Sequence, residues 1–291
     1  MPFQWKQNNN WSLSLMLVLS TIFSGCLTFK LSDKRTEKKV QNQDIKFSVE
    51  RYVTGENTLR YFHSQKDRKK ETALLFIHGA PGSSKHYLEY MINEALLKKA
   101  DVFAVDRLGY GESDWGKAQT SIYRQCLALE PLIDKLSQNY QEVIIIGHSY
   151  GGSVAAGIAL MYPDKITKLL LLAPALNPNL EEIFWFSWLG KVRPTRWLTP
   201  KALRVATDEK FNHARALEVL WEKLNNHSFH GQTIHIHGNA DKTVHYENTL
   251  FSKIIFPQVE IVAIEGANHY IPWQYEKEVL NTLDSMLEMD Y

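Results

Sequence analysis

The stretch from Gln141 to Met161, QEVIIIGHSYGGSVAAGIALM, restricts this chain more than any other. Val143 to Ile146 form an unbroken β-branched run, as a parallel strand covered on both faces requires. The run leads into Gly147-His148-Ser149-Tyr150-Gly151, and a helix of small residues follows. The pattern G-x-S-x-G is common by chance. Between a buried strand and a helix it describes a sharp turn that lifts its serine clear of the sheet. Residues two before and two after such a serine come too close for a Cβ, which accounts for both glycines. The following helix N-terminus adds positive potential where an oxyanion would form. Alone, the segment leaves open whether Ser149 is a nucleophile or a turn residue.

The rest of the chain alternates between the two periods. IKFSVERYV and TLRYFHS, joined by the turn signal Thr54-Gly55-Glu56-Asn57, predict an antiparallel hairpin. TALLFIHG, DVFAVDRLG and ITKLLLLAPA read as buried strands, and HYLEYMINEALLKK and IYRQCLALEPLIDKLSQNY read as helices. Such alternation predicts a mostly parallel sheet with helices on both faces. From 176 to 229 the strand rhythm stops, and a helical stretch carrying Trp185, Trp188, Trp197 and Trp221 is read as a cap inserted into the α/β domain. Strand rhythm returns in QTIHIHGNAD and QVEIVAIEGANH, and YEKEVLNTLDSMLEM predicts a terminal helix. The α/β core thus covers 45–175 and 230–291.

A serine nucleophile needs a base, and the base needs an orienting acid. Asp241 follows the apolar run IHIHG, and His269 follows the last strand. Both fall at the carboxyl ends of parallel strands, on the edge where Ser149 sits and where open α/β sheets place their sites. For the oxyanion, one N–H is expected from Tyr150 and a second from the loop His78-Gly79-Ala80-Pro81-Gly82; Ala80 is chosen because Pro81 has no N–H. His78 is read as bracing that loop. Asp208 is a rival acid, but its Asp-Glu-Lys surroundings look like a solvated helix face. His235, His237 and His245 with Asp241 resemble a metal cluster; alternation along an apolar strand favours hydrogen-bonded packing instead, so no metal and no cofactor is assigned.

HGAPGS, DRLGYGESD, GHSYGG, HGNAD and GANH, in this order, resemble the α/β-hydrolase superfamily from about Ile45 onward. The resemblance implies an α/β-hydrolase fold with an eight-stranded, mostly parallel sheet and a helical cap. It also implies Ser149 as nucleophile, Asp241 as acid and His269 as base, with Asp106 to Gly111 a structural loop. Epoxide hydrolases and haloalkane dehalogenases of the superfamily carry Asp at the Ser149 position, and proline iminopeptidases usually read G-G-S-W-G at the turn. A carboxylic-ester hydrolase acting on a small ester or lipid is the default. C–C bond hydrolysis, perhydrolase or aminopeptidase-like activity and a non-catalytic envelope binding protein stand behind it.

The N-terminus is read as a signal. Leu13 to Phe23 is a short apolar run, Ser24-Gly25 are small, and Cys26 follows, so FSGC resembles a bacterial lipobox with Cys26 lipidated after removal of residues 1–25. The absence of Asp after Cys26 resembles sorting to the outer membrane, periplasmic side. Residues 26–44, lysine-rich and without periodicity, are read as a flexible tether. Cys126, the other cysteine, is read as a buried small hydrophobe. A net charge of +1 gives no sign of a nucleic-acid partner, and the oligomeric state is left open.

Overall fold

The computed structural model describes residues 33–41, 44–183 and 187–288. Strands β1 (Lys46–Thr54) and β2 (Asn57–Gln65) form the expected hairpin, with Thr54 paired to Asn57 across a two-residue loop in which Gly55 has φ 57°. The remaining strands are β3 (Thr72–Ile77), β4 (Ala100–Val105), β5 (Glu142–His148), β6 (Lys168–Leu172), β7 (Gln232–Gly238) and β8 (Glu260–Ile264). They make one sheet in the order β1-β2-β4-β3-β5-β6-β7-β8. Pairing is antiparallel for β1–β2 and β2–β4 and parallel from β4 through β8. The unbroken apolar runs belong to the strands buried along their whole length: β3, β4 and β6 have no exposed position.

The pleat divides the core into two layers. Ala73, Leu75 and Ile77 of β3 point to one face, whereas Leu74 and Phe76 point to the other. The first face is covered by the helices at Ile122–Asn139 and Tyr150–Met161, through Leu129, Leu132 and Ile158 among others. The second is covered by the helices at Leu88–Met91, Glu94–Lys99 and Glu276–Glu288, through Met91, Leu97, Val279 and Leu283. Between β6 and β7 the described residues include the α-helices Ser187–Lys191 and Arg193–Arg196 and the long Lys201–Lys223. The last of these presses Leu217 and Leu220 into the first layer.

One expectation is corrected. Within the stretch read as tether, residues Asp33–Val40 form a helix with Thr36 and Val40 buried. The Asp33 carboxylate pairs with Arg51 and, at 2.6 Å, with the buried Arg60 guanidinium, which in turn reaches Asp106 at 2.6 Å. The helix is held by the ion pairs of Asp33 at one end and by Val40 in the core at the other, and one apolar anchor in eight residues makes no periodicity to read. Residues 1–32, and with them the apolar run and Cys26, lie outside the described residues.

Numbered in chain order, the helices are α1 (Asp33–Val40), α2 (Leu88–Met91), α3 (Glu94–Lys99), α4 (Ile122–Asn139), α5 (Tyr150–Met161), α6 (Ser187–Lys191), α7 (Arg193–Arg196), α8 (Lys201–Lys223), α9 (Asn248–Ile255), α10 (Ile271–Gln274) and α11 (Glu276–Glu288).

Candidate functional site

Ser149 is the single residue between β5 and α5, and it stands at φ 55°, ψ −124°. A non-glycine residue with positive φ is strained, so the surroundings must hold it there. Its N–H donates to Leu172 O at 3.0 Å, and its carbonyl accepts from Gly152 N at 2.8 Å. The flanking glycines are required by close backbone approach. A Cβ on Gly151 would stand 2.3 Å from Ile77 O, and one on Gly147 would stand 2.5 Å from Gly151 O. A helix leaves its first amides without internal partners, so Tyr150, the first residue of α5, presents its N–H at this turn.

Asp241 and His269 sit just past β7 and β8, and the structure joins them: His269 Nδ1 is 2.7 Å from Asp241 Oδ2. The other carboxylate oxygen accepts from the backbone N–H of Thr243 at 2.7 Å and of Val244 at 2.9 Å. Burial alone would raise the Asp241 carboxyl. Hydrogen bonds from His237 and His269, with the Val244 amide, outweigh it and hold the group well below the usual carboxylate range. The anion therefore fixes Nδ1–H on His269, which leaves the ring's lone pair on Nε2.

Behind Asp241 runs a chain of imidazoles. His237 Nε2 lies 3.0 Å from Val244 O and 3.4 Å from Asp241 Oδ2; Val244 O can only accept, so Nε2 carries the proton. Nδ1 of His237 then accepts from His235 Nε2 at 2.9 Å, and His235 Nδ1 meets Ser252 Oγ at 2.6 Å. The two strand histidines thus spend their nitrogens on each other and on neighbours. His245 pairs instead with Glu182 at 3.3 Å, and among the described residues no group of three or more His, Cys, Asp or Glu is placed to hold a metal ion. Asp208 makes a two-point pair with Arg196, at 3.0 and 2.7 Å, while His269 takes Asp241 as its carboxylate. Cys126 is buried, its thiol directed at Val154 O.

The loop after β3 is braced as its sequence suggests. The backbone N–H of Arg107 donates to His78 Nε2 at 3.0 Å, so the ring proton sits on Nδ1 and donates to Gly79 O at 2.7 Å. Burial, and then the Arg107 charge, keep this imidazole neutral. His148, beside Ser149, donates from Nε2 to His269 O at 3.1 Å; burial and the neighbouring His269 push its value down to about 3. A Cβ on Gly79 would stand 3.0 Å from Ser149 Cβ, so the loop lies directly against the serine turn.

Sequence reading missed the group under this loop. Arg107 and Glu209 form an ion pair at 2.7 Å with both side chains at 0% exposure. Tyr110 and Gln125 complete the carboxylate's partners, at 2.6 and 2.7 Å. Nothing in a helix segment reading Asp-Glu-Lys marks Glu209 as buried; only the position of α8 against the core does so.

Residues 72–202 match the profile of the alpha/beta hydrolase fold family. The chain is 34% identical over 116 residues to a proline iminopeptidase of Heyndrickxia coagulans, a match covering 38% of each protein. It is 33% identical over 119 residues to epoxide hydrolase 4 of Mus musculus, covering 39% of this chain and 31% of that one. These matches span well under half the length of either relative. Among solved structures, a putative lipase from Acinetobacter baumannii superposes with a TM-score of 0.61 at 18% identity, over 90% of this chain and 98% of the other. The activities named for these proteins differ. The eight-stranded, mostly parallel sheet agrees with the family profile and the superposition, and this chain has the α/β-hydrolase fold.

Proposed function

We propose that the protein is a serine hydrolase that cleaves carboxylic esters through an acyl-enzyme. What supports this reading most is one observation: Asp241 and His269 are hydrogen-bonded at 2.7 Å, at the same sheet edge as the strained Ser149. In the proposed reaction His269 Nε2 takes the Ser149 proton as Oγ attacks the ester carbonyl. Asp241, anionic throughout, stabilises the imidazolium that forms. The N–H groups of Ala80 and Tyr150 hold the oxyanion, each worth about 3–4 kcal/mol in the transition state. His269 then protonates the alcohol leaving group, and water, activated by the same imidazole, releases the acid. A serine rather than a carboxylate at the turn favours ester over epoxide chemistry, because the latter uses an aspartate nucleophile in the superfamily.

The substrate is a small-molecule ester or a lipid, and the protein is tethered to the bacterial envelope through Cys26. The sequence FSGC at the end of an apolar run supports the tether. The test is direct. Ser149→Ala should leave the melting temperature within a few degrees and abolish hydrolysis of 4-nitrophenyl esters and labelling by a fluorophosphonate; turnover like the wild type's would sink the assignment. For the tether, Cys26→Ser should move the protein out of the membrane fraction, and unchanged fractionation would refute lipidation.

A further inference from the structure

Arg107 uses every hydrogen it has. Nε donates to His78 O at 2.8 Å, Nη1 to Gln125 Oε1 at 2.9 Å and Glu209 Oε1 at 2.7 Å, and Nη2 to Gly79 O at 3.1 Å and Glu209 Oε2 at 3.2 Å. Five donors in a rigid planar fork are all matched, which fixes the guanidinium in place. Its carbon also lies 4.4 Å from the centre of the Tyr150 ring. The cation therefore touches both segments from which the oxyanion donors come. One contact is to the carbonyl side of the Gly79–Ala80 peptide, and the other is to the side chain of the residue after Ser149.

The peptide geometry gives the first contact its meaning. The Ala80–Pro81 bond is the one cis bond among the described residues, so Gly79–Ala80 is trans. In a trans peptide the C=O and N–H point in opposite directions. Holding Gly79 O against Arg107 Nη2 and His78 Nδ1 turns the Ala80 N–H away from them. A cation on the carbonyl also polarises the peptide, which strengthens its N–H as a donor. Glu209, on α8, is what permits a buried cation here, since an unpaired charge would not tolerate complete burial.

We infer that Arg107, held by Glu209 of the inserted helix, is a positioning residue for the oxyanion-binding amides of Ala80 and Tyr150. Part of the catalytic geometry is then set by the insertion between β6 and β7, outside the strand ends that carry the serine, acid and base. This inference rests on the serine-hydrolase reading above.

The test separates holding the fold together from holding the amides. Full-length Arg107→Met, Glu209→Gln and the apolar pair Arg107→Met/Glu209→Leu are compared for melting temperature, kcat and KM on 4-nitrophenyl butyrate, and the pH profile of kcat/KM. Each single change leaves a buried charge unpaired and lowers the melting temperature; the apolar pair removes both charges and should recover part of the loss, the rest reflecting His78 O, Gln125 and Tyr110 without their partners. The expected result is that kcat of the pair nonetheless stays about 100-fold low, the loss typical of one oxyanion donor. KM should stay within about threefold, and the acid limb should not move because His269 and Asp241 are untouched. Glu209→Gln, nearly isosteric, should lose about tenfold in kcat even if the pair does not fold. Recovery of kcat together with melting temperature, or a rise in KM at constant kcat, overturns the inference. Fluorophosphonate labelling keeps the two readings apart: a wild-type protein that is not modified at Ser149 refutes the hydrolase reading itself. Labelled wild type with variants of undiminished kcat refutes only the role of Arg107.

Discussion

Helix α8 and the segment just before it, residues 187–198, belong to one insertion, yet they meet their surroundings in opposite ways. Helix α8 carries Glu209 to 0% exposure and His213 to 3%. The earlier segment leaves Trp188, Trp197 and Leu198 at 52%, 68% and 62%. The inner helix buries Glu209 and His213 beside Leu217 and Leu220, whereas the outer segment leaves large apolar side chains in water. Residue by residue, Glu209 would be expected in water and Trp188, Trp197 and Leu198 in the core. Burial of Glu209 is tolerable because its oxygens accept from Arg107, Gln125 and Tyr110, and the network is complete. The lesson is that a complete set of polar partners lets a carboxylate enter the core beside the apolar anchors Leu217 and Leu220.

The sharpest way to break this contrast is at Glu209. Glu209→Ala strands the Arg107 guanidinium, which is also fully buried, and should cost about 3–5 kcal/mol. Urea denaturation checks it, and a loss below about 1 kcal/mol would mean that water or another anion reaches Arg107.

Glu181 offers a second, pH-dependent test of how the insertion is tied down. Its carboxylate, on the chain leaving β6, meets Lys210 Nζ at 2.6 Å and His213 Nδ1 at 2.8 Å on α8. Burial would raise the group, but His213 and then Lys210 pull it from 4.5 down to about 2. The folded value is depressed, so its stabilisation is present in full above the unfolded value of 4.5 and is lost as pH falls toward about 2. Glu181→Gln should therefore cost on the order of 1.5–3 kcal/mol at pH 7, as for hydrogen bonds to charged groups. The deficit should shrink steadily between pH 4.5 and 2. Chemical denaturation at several pH values reads both effects; a deficit independent of pH would assign the loss to packing.

How much of this was legible beforehand follows the same division. Continuous apolar runs mark β3, β4 and β6 because strands covered on both faces need such residues at every position. Ser149 could be placed at a strand end because it follows such a run, and Asp241 and His269 because each follows a shorter strand pattern, IHIH and EIVAI. The loop reading of His78 rested on its place after β3. Glu209 was not legible. Its neighbour Asp208 is partly exposed and pairs with Arg196, as a solvated helix face predicts, but one residue along a helix is a turn of about 100°. Helix α1 was hidden for the related reason that its ionic anchors, Asp33 with Arg51 and Arg60, are distant in sequence, and Val40 is its one apolar anchor.

Smaller effects belong to the outer segment, and they sharpen the contrast from its other side. The Arg196–Asp208 pair is about a third exposed on the arginine side, so Asp208→Asn should cost no more than about 1 kcal/mol, and less in high salt. Trp188 stacks edge-on against Phe211 of α8 with centroids 4.9 Å apart. Trp188→Ala should therefore lose about 0.5–1.5 kcal/mol together with whatever area the ring still buries. Trp197 is the limiting case. Its carbonyl accepts from Arg204 Nη2 at 2.7 Å, and that backbone bond survives replacement of the side chain. With 68% of the residue already in water, Trp197→Ser has little burial to lose and should shift stability by no more than about 0.5 kcal/mol. Its urea midpoint, measured beside that of Glu209→Ala, decides the comparison: equal losses would mean that Trp197 is covered in solution, and that the outer segment is held as firmly as the inner helix.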